Sequence, residues 1–439
     1  VNTNVINVAH SKASGALNIS TNGGSIAANT IQVGFDAAYR STGTVNVAAG
    51  TLSATSIYVG NASRGVVNVS GGELNMNTNG QLRIGYKRAN VAGQQQGDAG
   101  LPTIDMSGDG LVDISGGTLN ATASNVQVTV GYDNNENPGP AETNRVAELK
   151  IRDGGTANFT AGNKLLVGRW SDGIVTVEDG GTLNLADETV AIGYGPGTGT
   201  LNVTGGTINQ TGNRFSIGAY GQGVGIVNMS GGTINTDAII MGDSQQGTTN
   251  SGVSTVNQTG GTVNITGGEA RFGVRGDAVY NVGGGDSIAL LSVNPTGVTN
   301  AMGDALTRIN LSYADNNSTL NILSNGVVQT VTITMDNVNT ANDGATDEAV
   351  LNLNEGGTFI LEGNWQGALG LADGAEINIA GGQFLWQRGV LAAVSNMQDA
   401  ASYINLTGGQ SEIPEGSVEV FSDGDYTLYA RGYNSSNIT

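Results

Sequence analysis

Apolar and polar residues alternate in short runs along most of the 439-residue chain, and many of these runs end at a glycine pair. The clearest runs are 174–184, 200–209 and 226–235. In Leu201-Asn202-Val203 the apolar side chains face one way and the asparagine the other, a period of two that indicates β-strand rather than helix. The glycine pairs that begin at Gly180 and Gly205 give a repeat of about 25 residues, which is typical of a solenoid.

Each repeat contains three apolar segments, one before the glycine pair, one after it, and one that ends in Ile-Gly, as at Ile192-Gly193. Three strands of about three to five residues per coil, with glycine at a corner that needs a positive φ, predict an all-β parallel β-helix. We expect roughly 14–16 coils, each adding ~4.8 Å. The helix should be right-handed, because parallel crossover connections are right-handed.

The repeat also predicts how the chain is organised. Regular coils span 1–285, with polar insertions near 86–102 and 132–147 that both begin just after the Val/Ile-Gly element and should therefore leave the same edge. We interpret 286–350 as degenerate coils with a lateral insertion and 351–410 as the final regular coils. In 411–439, alternation around an Asp-Gly turn predicts an antiparallel hairpin that serves as a clasp or cap.

Composition narrows the class of protein. There are 71 glycines without a three-residue period, which excludes collagen, and a hydrophobic content of 38% argues against disorder. A net charge of −20 repels phosphate backbones and argues against a nucleic-acid partner. Without cysteine there is no disulfide and no thiolate metal site. No stretch approaches the ~18 apolar residues of a membrane span, and the start at Val1 predicts an exported form whose signal was removed, or an excised fragment.

The motif (Leu/Ile/Val)-Asn-(Val/Ile)-(Ser/Thr)-Gly-Gly-Thr-(Leu/Ile)-Asn, as in 201–209, resembles the β-strand repeats of bacterial autotransporter passengers. It is also similar to Gly/Asn/Thr-rich surface proteins of the PEP-CTERM type. The resemblance covers most of 1–285 and 351–410. It implies an extracellular or cell-surface bacterial β-solenoid, since these families include adhesins and matrix components.

One column of asparagines falls at the same position of successive coils. In-register amides about 4.8 Å apart hydrogen-bond to one another, so we predict an asparagine ladder. Its members are Asn68, Asn202, Asn228, Asn257, Asn352, Asn378 and Asn405. All of them except Asn352 and Asn378 also begin N-x-[ST] sequons, which would be glycosylated only if they faced water. The ladder is the favoured interpretation.

A column of aromatic residues lies one or two residues past the Val/Ile-Gly element. It comprises Tyr86, Tyr132, Trp170, Tyr194 and Tyr220. One interpretation is an aromatic stack along one edge, which we favour. The other is a stripe that binds a sugar or a protein partner through exposed ring faces.

Candidate chemistry is sparse. Asp105-Met-Ser-Gly-Asp109-Gly resembles the start of a calcium loop, but Gly116 stands at the twelfth position, where a bidentate glutamate is expected. Ca²⁺ bound by Asp105 and Asp109 is therefore a weak candidate beside a plain turn. Polysaccharide lyases and hydrolases also use β-helices, but no carboxylate column obviously pairs with the arginines. We predict no catalytic residue and no cofactor.

The function we infer is that of a non-enzymatic extracellular fibre subunit or surface protein. A β-helix has open strand edges at its ends, which pair with other chains unless capped, and a head-to-tail contact that does not close generates filaments. The candidate docking residues are Val5, Ile6 and Asn7, with Val418, Val420, Phe421, Tyr426, Leu428 and Tyr429 in the predicted hairpin. The alternatives are a monomeric adhesin that binds surface glycans through the aromatic edge, and a β-helix lyase or hydrolase.

Overall fold

The computed structural model describes these residues: 1–9, 14–20, 23–35, 41–61, 63–87, 108–133, 147–160, 162–186, 189–212, 214–219, 223–243, 252–267, 269–293, 308–312, 316–335, 348–362, 366–371, 375–386, 390–393, 403–407, 410–412 and 427–431. For residues 86–87, 133, 189 and 366–371, and from residue 385 onward, the description covers the backbone alone. The chain divides into two compact units. Unit 1 comprises 1–213 with 223–225, and unit 2 comprises 214–222 with 226–439.

The described secondary structure consists of β-strands. Those of unit 1 are β1 (Asn2–Val8), β2 (Gly15–Ile19), β3 (Ser25–Val33), β4 (Thr42–Val47), β5 (Thr51–Val59), β6 (Arg64–Val69), β7 (Glu73–Lys87), β8 (Gly110–Ser115), β9 (Thr118–Ala121), β10 (Gln127–Asp133), β11 (Ala147–Arg152), β12 (Thr156–Phe159), β13 (Lys164–Val167), β14 (Gly173–Val177), β15 (Thr182–Ala186), β16 (Thr189–Tyr194), β17 (Thr198–Val203) and β18 (Thr207–Thr211).

Unit 2 continues the numbering, and the first two residues of its β20 belong to unit 1. Its strands are β19 (Arg214–Ala219), β20 (Val224–Met229), β21 (Thr233–Thr236), β22 (Ala238–Met241), β23 (Val253–Gln258), β24 (Gly261–Ile265), β25 (Ala270–Phe272), β26 (Ala278–Val282), β27 (Ala289–Val293), β28 (Ile309–Leu311), β29 (Ser318–Ile322), β30 (Gly326–Thr330), β31 (Ile333–Met335), β32 (Ala349–Asn354), β33 (Thr358–Leu361), β34 (Gln366–Leu371), β35 (Ala375–Ala380), β36 (Gln383–Trp386), β37 (Val390–Ala393), β38 (Tyr403–Thr407), β39 (Gln410–Glu412) and β40 (Thr427–Arg431). Across the described ranges, no helix has the length and apolar character needed to cross a membrane.

In unit 1, strands that precede a glycine pair form one parallel sheet, the pre-glycine sheet, in the order β2, β4, β6, β8, β11, β14, β17. The other strands form a second sheet, the post-glycine sheet. In each coil its near strand directly follows the glycine pair, and its far strand ends at the Val/Ile-Gly element. Register is kept from coil to coil, so that Val45, Val67 and Val112 stack inside with at most 1% exposure. The predicted parallel β-helix is confirmed, because period-two alternation directs the same column of each coil inward.

The number of strands per coil differs between the first coils and the later ones. Near and far segments are continuous in β3, β5 and β7, whereas later coils break between them. Two of the breaks contain a left-handed glycine, Gly162 at φ 88° and Gly212 at φ 81°, and the break between β9 and β10 contains left-handed Asn125 at φ 59°. The prediction of three strands therefore applies to the later coils, in which the near and far segments are separate.

In unit 2, strands β27 to β31 continue the parallel pairing through the region predicted as degenerate coils. Leu291 lies in register with Val328, and Ile309 with Ile333. At the other end, β40 pairs in parallel with β38, and Leu428 lies opposite Ile404. The half of the predicted antiparallel hairpin that the structure describes is therefore a further strand of the parallel sheet. Val418, Val420, Phe421 and Tyr426 lie outside the described residues.

The core of unit 2 contains one buried phenol. Tyr280 is 1% exposed and its hydroxyl donates to Gln258 Oε1 at 3.0 Å. Gln258 Nε2 donates in turn to the carbonyls of Gly261 (3.0 Å) and Leu290 (2.9 Å). Burial raises the pKa of the Tyr280 phenol far above its usual range. The neutral phenol is therefore strongly preferred in the folded state.

This raised pKa predicts alkaline destabilisation. Above a pH of about 10 the unfolded tyrosine ionises while the folded one keeps its proton, so the stability present below that pH falls by up to ~1.4 kcal/mol per pH unit. Tyr280→Phe should remove this component, at a neutral-pH cost of ~1 kcal/mol because Gln258 Oε1 loses its donor. Urea unfolding of both proteins between neutral pH and pH ~11 measures the difference in their free energies of unfolding. The contributions of the other tyrosines are the same in both proteins and cancel in this difference. Parallel stability curves for the two proteins would contradict the prediction.

Candidate functional site

The pre-glycine sheet of unit 1 carries part of the predicted asparagine ladder. Asn46 Nδ2 donates to Asn18 Oδ1 at 2.7 Å, and Asn68 Nδ2 donates to Asn46 Oδ1 at 2.8 Å. The column then changes chemistry, since Asn68 lies in register with Asp113. Further along, Asn202 lies in register with Thr176. The ladder of unit 1 is thus interrupted by residues of other types.

In unit 2 the same column is longer. Beginning from Asn228 as the first acceptor, each following Nδ2 donates to the Oδ1 of the preceding coil at 2.8–3.1 Å, along the series Asn228, Asn257, Asn281, Asn321, Asn352 and Asn378. Asn405 lies in backbone register with Asn378. Sequence reasoning did not include Asn281 and Asn321. The coil of Asn321 lacks the regular glycine pair, whereas Asn281 precedes Gly284-Gly285 at the regular distance and was missed. In this ladder the side-chain amides link each coil to the next by hydrogen bonds.

A second ladder runs along the near strands of the post-glycine sheet and was not predicted. In unit 1 the donors are Asn120, Asn158, Asn184 and Asn209, each bonded to the preceding coil at 2.8–3.1 Å. In unit 2, Asn264 Nδ2 donates to Asn235 Oδ1 at 2.9 Å. The signal was available in the asparagine that follows Gly-Gly-Thr-(Leu/Ile) in many repeats.

Charged side chains on the walls form ion pairs. Arg152 binds Asp113 through Nε (3.1 Å) and Nη2 (2.9 Å), and Lys150 Nζ lies 2.7 Å from Glu178 Oε1. The hydrogen bond with Asp113 raises the pKa of the Arg152 guanidinium, which remains a cation. These pairs connect neighbouring coils.

A second charged cluster lies in unit 2. Glu269 accepts from Arg271 Nε (2.5 Å), Arg308 Nε (2.8 Å) and Asn310 Nδ2 (3.2 Å). Three donors surround this one carboxylate. The geometry therefore suits hydrogen bonding between neighbouring coils better than general acid–base chemistry.

The predicted aromatic edge takes an unexpected form in unit 1. The guanidinium of Arg83 lies 4.1 Å from the ring centre of Tyr132 and 5.6 Å from that of Tyr58. Arg169 lies 5.6 Å from Tyr132 and 5.9 Å from Tyr194. These five residues alternate, and we call them the Tyr–Arg row. Between Tyr132 and Tyr194 the described contact runs through the Arg169 guanidinium, while the stacking of ring on ring along this edge stays a prediction.

The structure describes less of the other residues predicted for the aromatic edge. Tyr86 lies in backbone register with Tyr132, Trp170 is half-buried beside Arg169, and Tyr220 lies outside the described residues. Sequence reasoning did not place Tyr58 and Arg83 in this column. They stand two residues before the glycine of the Val/Ile-Gly element, whereas Tyr132, Arg169 and Tyr194 stand directly after it.

The outer face of the far strands at the Tyr–Arg row is buried. Thr129, Leu166 and Ala191 lie in register on that outward face, yet they are 1%, 2% and 0% exposed. Because Arg83 shares the register of Thr129, a ring that contacts Arg83 lies over this face. The surface at the Tyr–Arg row is therefore partly apolar and cationic, whereas most outward-facing strand positions of a protein carry polar residues.

The calcium candidate is not assembled in the described part of the chain. Asp105 lies outside it, and Asp109 is half-buried with its carbonyl accepting from Gly65 N at 2.8 Å. The described ranges contain no group of three or more histidine or carboxylate side chains close enough to hold a metal ion.

Comparison with known proteins gives little further information. No protein-family model and no curated protein matches the chain. Among solved structures, it is similar to the TibC-catalysed, hyper-glycosylated TibA55-350 fragment, with 14% identity and a TM-score of 0.22 over 87% of this chain and 100% of that one. A score this low supports no conclusion about fold or function, and the interpretation rests on this chain's own geometry.

Proposed function

We propose that this chain is a non-enzymatic, extracellular β-solenoid that serves as a structural subunit of a cell-surface or matrix fibre. The observation that carries the proposal is the unbroken asparagine ladder from Asn228 to Asn378 in unit 2, which repeats one hydrogen bond from coil to coil. Stacked amide ladders stabilise fibrous β-structures by the same geometry. The ion pairs across neighbouring coils support the same function, because they use charged groups to join coils.

The polarity of the ladders favours head-to-tail assembly. The ladder hydrogen bonds that join two asparagines all point the same way, with Nδ2 donating toward the preceding coil, as Asn29 does to Asn4 at 2.7 Å and Asn46 to Asn18. Among the described residues, the Nδ2 groups of Asn4 and Asn18 have no acceptor. The Oδ1 groups at a ladder end of another copy are the acceptors that would complement them. Such a contact is heterologous and extends without closing.

The first strand provides the matching backbone edge. β1 pairs with β3 on one side and has no strand partner on the other among the described residues. Ile6, in register with the fully buried Ile31, is only half-buried, and Val5 is 47% exposed on the outward face. We therefore place the docking surface at the edge of β1.

Assembly predicts regular filaments whose axial repeat equals the length of one subunit, visible by negative-stain microscopy, with sedimentation that depends on concentration. Val5→Asp should abolish or shorten them, because a charge on an edge strand opposes pairing with another chain. Val253→Asp is a matched control, since Val253 is 46% exposed on β23 of unit 2. Isolated subunits at every concentration would overturn the proposal.

The predicted clasp is tested separately by deleting 411–439. Loss of filaments supports a clasp in that segment. Long filaments after the deletion would reject the clasp while leaving the β1 edge as the docking surface.

A further inference from the structure

We propose that the Tyr–Arg row is a binding site for a polysaccharide whose sugars carry carboxylates, with the polymer lying across successive coils of unit 1. The row contains three half-buried tyrosines and two half-buried arginines, in the order Tyr58, Arg83, Tyr132, Arg169 and Tyr194. This binding activity is independent of filament formation.

Arg169 is a half-buried cation with no carboxylate within 4 Å among the described residues, whereas the exposed Arg64 and Lys164, which also have none, are open to solvent. Carboxylates lie within 4 Å of Lys150, Arg152, Arg214, Arg271 and Arg308. Among the described residues, Arg169 Nη1 instead contacts the neutral Oε1 of Gln127 at 3.3 Å, and its Nε is buried without a hydrogen-bond partner. A half-buried cation without a counter-charge is costly, and an incoming carboxylate supplies that charge.

The arrangement of rings and guanidinium matches a sugar acid. Pyranose rings have apolar C–H faces that pack on aromatic rings, while their carboxylates project from the edge toward cationic donors. Tyr132 and Tyr194 flank Arg169 at 5.6 and 5.9 Å, so one carboxylate site lies between two apolar platforms. The rings also hold the guanidinium in place before a ligand arrives.

The spacing suits a polymer rather than a single sugar. Tyr132, Arg169 and Tyr194 end or follow β10, β13 and β16, which are far strands of three successive coils. The two tyrosines are thus two coils apart, roughly 10 Å at the usual strand spacing. This separation is about that of two linked sugar rings. Beneath the row, Thr129 Oγ1 is also buried without a partner among the described residues.

The test uses polygalacturonate and, as a charge-free counterpart, the same polymer with its carboxyl groups methyl-esterified. In titration calorimetry with the full chain, we expect binding of the acid polymer only, weakening as salt screens the charges. Arg169→Gln should reduce affinity about tenfold or more, the effect of losing a charge-assisted hydrogen bond. Tyr132→Ala should reduce it as well, through loss of the apolar platform. The charge-matched control is Arg64→Gln, on the exposed face of the pre-glycine strand β6, which should bind like the unmodified chain.

Melting temperatures establish that the variants fold. If Arg169→Gln is unstable, Arg169→Lys keeps the charge but not the planar fork, and a several-fold loss of affinity is expected from it. The proposal is overturned if the unmodified chain does not bind polygalacturonate, if it binds the esterified polymer equally, or if the folded Arg169 variant binds as tightly as the Arg64 control. The last outcome would assign the row a purely structural role.

Discussion

Gly199→Ala is expected to destabilise unit 1 by about 3 kcal/mol or more, because the added methyl group has no space at this corner. A Cβ on Gly199 would lie 2.1 Å from Gly193 N and 2.5 Å from Val167 O, and both are backbone atoms that cannot rotate away. Gly193 is itself left-handed, at φ 78°. Two coils must therefore separate, or the parallel pairing between Gly199 and Gly173 must be lost.

The control for Gly199→Ala is Gly154→Ala. Gly154 is also left-handed, at φ 84°, but no atom lies within 4 Å of the position that a Cβ would take there. That variant should cost only the ~1–2 kcal/mol of placing an alanine in the left-handed region. Urea unfolding and amide hydrogen exchange of β16 and β17 measure both effects. Equal destabilisation by the two variants would show that contact at the corner is unimportant.

The fold was predictable because its determinants are local. Alternation in Leu201-Asn202-Val203 sets which side chains face inward, and the glycine pair sets where the coil turns. Gly180 is left-handed at φ 76°, as predicted, whereas neither glycine of the pairs Gly71-Gly72 and Gly205-Gly206 is left-handed. The glycine of the Val/Ile-Gly element, as at Gly193, was not recognised as a second left-handed corner, although it recurs in nearly every described coil of unit 1.

The ladder could be predicted for the same reason, since equal distance from a glycine pair places asparagines in register. Asn281 stands three residues before Gly284-Gly285, the regular distance, and so could have been aligned from the sequence. Beside Asn321 the pair is absent, although the hydrogen bond to Asn281 is present. The interruption at Asp113 reflects its pairing with Arg152, which comes from the next coil after an insertion. Long-range charge pairing of this kind leaves no periodic signal.

The Tyr–Arg row was only partly predictable because it combines two different coil positions. Arg83 stands before the left-handed glycine and Tyr132 after it, so a comparison by position separates residues that are 4.1 Å apart. The reversal at the glycine, which brings the following side chain over the far strand, is a property of the three-dimensional turn. An aromatic column could be recognised in the sequence, but its alternation with arginine could not.

In unit 2, Phe272→Ala is expected to lower the free energy of unfolding by about 3–5 kcal/mol, the usual range for deleting a buried phenyl ring. Phe272 is fully buried and its ring centre lies 5.4 Å from that of Tyr280, with the planes inclined at 27°. The cost should fall at the high end, because Tyr280 is anchored through its hydroxyl to Gln258 and cannot collapse into the space.

Phe272→Leu provides the matched comparison, since it keeps most of the apolar volume and should cost about 1.5 kcal/mol. Urea unfolding gives both values, and amide hydrogen exchange in β25 to β29 shows whether the loss is local to these coils. If the neighbouring backbone closed around the alanine, the two variants would differ by less than about 1 kcal/mol. That outcome would mean that the coils of unit 2 adjust to a lost ring, whereas a large difference means that the Tyr280–Gln258 hydrogen bond keeps the core from rearranging.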